Sequence, residues 1–263
     1  MVNKKDERVV ILCGGKGTRI RDVSESLPKP MVPIGKYPIL WHIMKGYSTQ
    51  GYHNFVLCLG HKGDTIRNYF LHYKDYAQDL TLDLSSGNIG ERKGKVDDWS
   101  ISFVDTGEET NTGKRLDCVR EYLVDDSHFM LTYGDGVSDV NLERLLVFHQ
   151  RHPGIVGTFT GVREWSKYGK VKMDERGIAH SFEEKPLLDD RVNGGFMVLN
   201  RDFLDHPLLK QNVPLERTIG DYCQEKKMAV YSHDGFWYSM DEPREYEHLN
   251  KLWAENKAPW RTW

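Results

Sequence analysis

Apolar positions come in two patterns along the chain. From Arg8 to Cys13 and again from Asn54 to Leu59 they form short, nearly unbroken runs rich in Val, Ile, Leu and Phe. Runs of that kind suit parallel strands buried on both faces. Between them, Pro38–Tyr47 shows helical spacing, with proline at an early helical position. Asp64–Tyr73 shows the same spacing. Strand and helix then keep alternating. Ser100–Val104 reads as strand, Leu116–Leu123 as helix, Phe129–Thr132 as strand and Leu142–His149 as amphipathic helix. That alternation predicts an α/β fold, a Rossmann-like doubly wound sheet. Ser85–Asp98, polar and with three glycines, is expected to be a long loop.

After Gly154 the pattern changes. Ile155–Thr160, Lys170–Met173, Ile178–Phe182 and Gly195–Leu199 are strand-like and closely spaced. The second half is therefore expected to be richer in β structure, making the sheet mixed. We read one domain over residues 1–263 in two halves, about 8–140 and about 141–263, the second carrying a different binding surface.

Composition narrows the classes. A chain of 263 residues with 39% hydrophobic and 29% charged residues is of ordinary globular make-up. Its formal net charge of −3 argues against nucleic acid as a partner, which needs a surplus of Lys and Arg on one face. The four cysteines, Cys13, Cys58, Cys118 and Cys223, form no CxxC pair, and Cys13 and Cys58 end apolar runs as small buried hydrophobes do. The charged start Met1–Glu7 and the short run after it suit neither a signal peptide nor a membrane span, so the expected location is cytoplasmic. Trp41, Trp99 and Trp165 are read as packing residues, and no His/Cys spacing suggests zinc.

Candidate chemistry begins at Gly14-Gly15-Lys16-Gly17-Thr18-Arg19, directly after the first buried run. Glycines let amide groups approach a phosphate chain, Thr18 can donate a hydrogen bond, and Arg19 can fork onto two oxygens. A tight turn with an exposed base is the plainer alternative. Neither the dinucleotide spacing nor a Walker loop is present. In Pro28-Lys29-Pro30 two prolines stiffen the backbone around one ammonium, which suits charge stabilisation but also a simple connector. Asp135, between Gly134 and Gly136, and Asp241, after Phe236–Met240, each follow a strand-like run. Two such carboxylates can hold Mg²⁺ together with substrate phosphates, or each can cap a turn. Glu184-Lys185-Pro186 and Asn193-Gly194-Gly195 offer the mixture a sugar phosphate needs, or a surface ion pair and a turn.

Taken together, these segments resemble the sugar-nucleotide pyrophosphorylase family of nucleotidyltransferases. Pro38-Ile39-Leu40-Trp41-His42-Ile43-Met44-Lys45 and the tail Ala258-Pro259-Trp260-Arg261-Thr262-Trp263 are similar to its glucose-1-phosphate cytidylyltransferase branch. The resemblance runs along almost the whole chain. It implies CTP and α-D-glucose 1-phosphate as substrates, CDP-glucose and pyrophosphate as products, Mg²⁺ as cofactor, a homo-oligomer (trimer or hexamer) and a place in lipopolysaccharide O-antigen synthesis. It assigns Leu12, Cys13, Gly14, Gly15, Gly17, Thr18, Arg19, Lys29, Thr110, Arg115 and Gly134 to the nucleotide. Arg19, Lys29, Asp135 and Asp241 become the catalytic set, with the two aspartates as metal ligands. Glu184, Lys185, Asn193 and Tyr168 become the sugar-phosphate set, so that about 8–140 is the nucleotide-binding half and about 141–263 the sugar-phosphate-binding half with the C-terminal helix and tail. UTP or dTTP, another phosphorylated acceptor, or a catalytically silent nucleotide-sugar sensor are the rival readings. The family's usual Arg-Phe-Gly is Lys167-Tyr168-Gly169 here, Lys114 stands where glycine is common, and Val213–Thr218 replaces a usual Trp-Glu-x-x-Pro-Leu. Those departures concern the acceptor more than the reaction type.

Overall fold

The computed structural model describes residues 7–15 and 27–263. Its frame is a seven-stranded mixed sheet. The strands in spatial order are β12 (Met228–His233), β8 (Gly157–Trp165), β11 (Leu187–Asn200), β6 (His128–Tyr133), β1 (Arg8–Leu12), β4 (Asn54–Leu59) and β5 (Ser100–Asp105). Strands β6, β1, β4 and β5 run parallel, whereas β11 is antiparallel to both β6 and β8. The mixed α/β sheet anticipated from the apolar runs is therefore present, and the β-richer second half continues it across β6.

Unbroken apolar runs form these strands because both faces are covered. Val9 and Ile11 of β1 join one core cluster, with Ile39, Ile43 and Met44 of helix α1 (Ile39–Ser48). Val10 and Leu12 join the other, with Leu116 of helix α4 (Thr112–Cys118) and Leu215 of helix α6 (Leu215–Gln224). The remaining α-helices among the described residues are α2 (Gly63–Leu71), α3 (Tyr73–Ala77), α5 (Leu142–Gln150) and α7 (Pro243–Ala254). The run expected as one helix over 64–73 is thus two short ones, and Leu116–Leu123 is the end of α4 followed by a 3₁₀ turn at Arg120–Leu123. Residues 85–98 belong to an arm pinned by the bridges Asp79↔Lys93 and Leu82↔Ile89 rather than to a featureless loop.

Short ribbons complete the fold: β2 (Pro33–Ile34) with β3 (Tyr37–Pro38), β7 (Gly136–Ser138) with β13 (Trp237–Ser239), and β9 (Lys170–Met173) with β10 (Ala179–Glu183). Of the tryptophans read as packing, Trp41 is buried, but Trp165, at the outer end of β8 opposite Leu187 of β11, is 62% exposed. No helix among the described residues is long and apolar enough to cross a membrane.

Candidate active site

The carboxyl ends of parallel strands β1 and β6 meet over one cavity of about 350 Å³. Ligands in open α/β sheets bind at this end of the strands. Leu12, Cys13, Gly14, Gly15, Lys29, Thr110, Arg115, Gly134, Asp135 and Asp241 all line it. Residues scattered over more than 220 positions are thus brought together. Gly17, Thr18 and Arg19 lie outside the described residues.

Backbone pairing sets the two aspartates side by side. β7 follows Asp135, β13 precedes Asp241, and Ser239 pairs with Gly136. The Met240 amide donates to the Asp135 carbonyl at 2.9 Å, which locks the two carboxylate-bearing turns together. On the far side, Glu245 Oε2 accepts from the amides of Asp241 and Glu242 at 2.6 and 2.9 Å, as part of the capping box of α7. Gly134 sits where a side chain would crowd Pro30, the Leu12 carbonyl and the Cys13 sulfur, at 3.1 to 3.3 Å.

Lys29 closes the cluster. Its Nζ lies 2.6 Å from Asp135 Oδ2 and 2.7 Å from Asp241 Oδ1. Burial works against its charged form, but the two carboxylates outweigh that and hold the ammonium's pKa above its ordinary value. The flanking prolines keep its backbone in a short 3₁₀ turn at Lys29–Met31, with Pro30 and Met31 buried.

Arg115 forms the floor. Its Nη1 donates to the Leu59 carbonyl (3.0 Å), Thr106 Oγ1 (2.6 Å) and the Gly107 carbonyl (2.7 Å). Its Nη2 donates to the carbonyls of Gly14 (2.9 Å) and Glu108 (3.2 Å). All five acceptors are neutral oxygens, so a buried positive charge lies beneath the cavity without direct pairing to any of these partners. Burial pulls the guanidinium's pKa below its ordinary value. A Cβ on Gly14 would overlap this guanidinium, which is why the loop begins with glycine. The resemblance gave Arg115 to the nucleotide; its hydrogen bonds go to Gly14 after β1, to Leu59 at the end of β4 and to Thr106–Glu108 after β5.

Two further hollows continue from the first. A small one of about 40 Å³ shares Tyr133 and Asp135 with it and adds Asn193 and Gly194. A larger one of about 420 Å³ shares Trp237 and Ser239 with the small one and is walled by Arg163, Trp165, Lys185, Tyr238, Arg244 and His248. Asn193 Oδ1 accepts from the Gly195 amide at 2.9 Å, so its side chain is partly spent on its own turn. Glu184 and Lys185 pair at 3.8 Å and are exposed. Lys185, at φ 47° before a proline, holds a backbone conformation disfavoured twice over. Tyr168 is 79% exposed on the ribbon side and lines none of these hollows.

The nucleotidyl transferase family profile matches residues 8–252 of the chain. The chain belongs to the nucleotidyl transferase family. A probable glucose-1-phosphate cytidylyltransferase of Bacillus subtilis is 39% identical over 257 residues, covering 97% of this chain and all of that one. The glucose-1-phosphate cytidylyltransferase of Salmonella typhi is 39% identical over 259 residues, covering 97% and 99%. Among solved structures, HddC from Yersinia pseudotuberculosis superimposes with a TM-score of 0.67 at 22% identity, covering 94% and 99%. The UTP-bound UGPase of Acinetobacter baumannii gives 0.68 at 16% identity, covering 95% and 94%. Both share the fold.

Several cavity residues of this nucleotidyl transferase escaped the sequence reading. Asn111 and Thr112 line the first hollow, braced from outside by the 212–215 segment. The Asn111 amide donates to Asn212 Oδ1 at 2.7 Å, and the Leu215 amide to Thr112 Oγ1 at 2.8 Å. Tyr133 donates to Glu216 Oε1 at 2.6 Å and separates the first hollow from the small one. Its place just before Gly134-Asp135 was a usable signal. Arg244 and His248, four apart on the helix after Asp241, were another. Lys114, unusual at its position, is spent on Asp117 at 2.7 Å.

Proposed function

We propose that this nucleotidyl transferase joins CTP to α-D-glucose 1-phosphate, releasing pyrophosphate and forming CDP-glucose. A phosphate oxygen of the acceptor attacks the α-phosphorus in line, and the bond from that phosphorus to the oxygen bridging to the β-phosphorus breaks. The nucleophile is already an anion, so no general base is needed. Alignment and charge stabilisation carry the rate. The observation that carries the reading is the meeting of Lys29, Asp135 and Asp241 within one cavity, above a buried Arg115 and beside Gly14 and Gly15. The choice of cytidine and glucose is supported by the near full-length relatives that bear those substrates in their names.

Each residue then has a part. Arg115 fastens the loops at Gly14, Leu59 and Thr106–Glu108, and its positive charge favours a triphosphate above it. Lys29 supplies a cation that can follow phosphate charge. Asn193 and Lys185 face the acceptor. Asp135 and Asp241 fit a Mg²⁺ ion, because two hard carboxylate oxygens already converge on one cationic point. When bound, that ion neutralises triphosphate charge. The exposed apolar residues Leu82, Leu84 and Ile89 on the 79–93 arm support assembly with further copies of the chain.

A pyrophosphate-release assay with CTP, UTP, dTTP, ATP and GTP against a panel of sugar 1-phosphates tests the proposal. Release restricted to CTP with glucose 1-phosphate is expected. Activity with another base or acceptor would replace those substrates, and no release from any pair would leave a sensor. Asp135→Asn should lower kcat by roughly 10²-fold or more with an unchanged circular dichroism spectrum, and near-normal turnover would refute its role.

A further inference from the structure

We propose that Lys29 is the resident counter-ion of Asp135 and Asp241 in the free protein, and that its ammonium must leave them before a divalent cation is bound there. The inference rests on the proposed function for the identity of the site. Two carboxylates delivered by separate strands, with their backbones locked together, repel each other unless a cation lies between them. Lys29 Nζ is such a cation, at 2.6 and 2.7 Å, with its side chain only 12% exposed. It sits on the same two carboxylates that would hold a metal. Like charges cannot share that spot in a partly desolvated cavity, so one displaces the other.

The geometry also says how the displacement happens. Pro28 and Pro30 fix the chain on either side of Lys29. The Met31 amide donates to the Pro28 carbonyl at 2.8 Å, and the Val32 amide to the Lys29 carbonyl at 3.1 Å. The Lys29 backbone therefore stays put, and only the four-carbon stem swings. Its reach remains inside the cavity it shares with Gly14, Gly15, Thr110 and Thr112. An anion there, such as a phosphate chain, receives the ammonium and frees the carboxylates. Phosphate binding and divalent-cation binding then favour each other by the same factor, because linkage is reciprocal. In the protein without nucleotide, the lysine keeps metal affinity low.

The test is a titration of Mn²⁺, a paramagnetic stand-in for Mg²⁺, into nucleotide-free full-length protein, reading unbound Mn²⁺ by electron paramagnetic resonance. Lys29→Met should bind one Mn²⁺ per chain at least 10-fold more tightly than the wild type. Lys29→Arg, which keeps a cation, should stay near the wild type. Lys29→Gln serves in place of the Met variant should that one fail to fold. Equal Mn²⁺ affinity in the wild type and in the folded neutral variant would overturn the proposal. So would an Arg variant that binds as tightly as the neutral one. The outcomes are separable from the catalytic reading. An active cytidylyltransferase whose wild type and neutral variant bind Mn²⁺ equally sinks only the counter-ion role, and a protein inactive on every sugar phosphate with the expected difference in affinity sinks only the assigned reaction.

Discussion

At the scale of single residues, the partly buried Lys29 and the buried Arg115 show how differently two cations are used. Lys29 has two carboxylate partners and room to move. Arg115 is 2% exposed and is solvated by carbonyl and hydroxyl oxygens from the end of β4 and the segments that follow β1 and β5. Replacing it by alanine leaves those buried acceptors unpaired, which should cost about 3 kcal/mol or more. The same change should raise the KM for nucleotide more than 10-fold while lowering kcat less. Thermal unfolding and steady-state kinetics check both, and an Ala variant as stable as the wild type would contradict the fastening role. Lys29 was legible in the sequence because two prolines isolate it, and the aspartates because each ends an apolar run. Their meeting was not legible, since 106 and 212 residues separate Lys29 from its partners. Nothing in the sequence pattern showed that Arg115 would turn its guanidinium onto carbonyls, because backbone acceptors carry no residue signature.

At the scale of elements, α1 and the C-terminal tail are joined by a histidine. His42 is 1% exposed. Its Nε2–H donates to the Ile34 carbonyl at 2.9 Å, and its Nδ1 accepts from Trp260 Nε1 at 3.4 Å. Both nitrogens are satisfied in the neutral ring, and a second proton on Nδ1 would break the contact with Trp260. Burial lowers its pKa to about 4, from an ordinary 6.5. The unfolded chain therefore binds more protons between those values. Stability contributed by neutral His42 is full above about pH 6.5 and is lost as pH falls towards 4, by up to roughly 3 kcal/mol. Melting midpoints measured from pH 7 to 4.5 should fall less steeply in His42→Gln than in the wild type, and parallel curves would refute the coupling. Helix α1 itself could be read from apolar spacing, whereas its tie to Trp260 depends on the chain end returning over 218 residues.

At the scale of the whole molecule, one sheet serves both halves. β11 hydrogen-bonds along β6, so residues from beyond position 187 cover a strand that belongs to the first half. A fragment ending at residue 140 would expose that edge and the apolar faces beside it, and should aggregate or remain unfolded rather than behave as a domain. The intact chain should unfold in a single urea transition, with fluorescence and circular dichroism coincident. Two separated transitions would show the halves to be independent. The alternation of runs announced the mixed sheet, but a strand order that inserts β11 and β8 between β6 and β12 is a long-range result that local pattern does not encode.

The long strands β8 and β11 have a further consequence. Their inner portions, Gly157–Val162 and Phe196–Leu199, lie in the core, while their outer portions around Arg163–Trp165 and Leu187–Asn193 project beyond it and help wall the second and third hollows. The outer stretches and the β9–β10 ribbon between them form a replaceable cassette. Exchanging residues 163–193 for the corresponding stretch of a related enzyme would rebuild one wall of the cleft while Lys29, Asp135 and Asp241 keep their supports. The walls of the second and third hollows in such a chimera would be re-evolved separately from Lys29, Asp135 and Asp241.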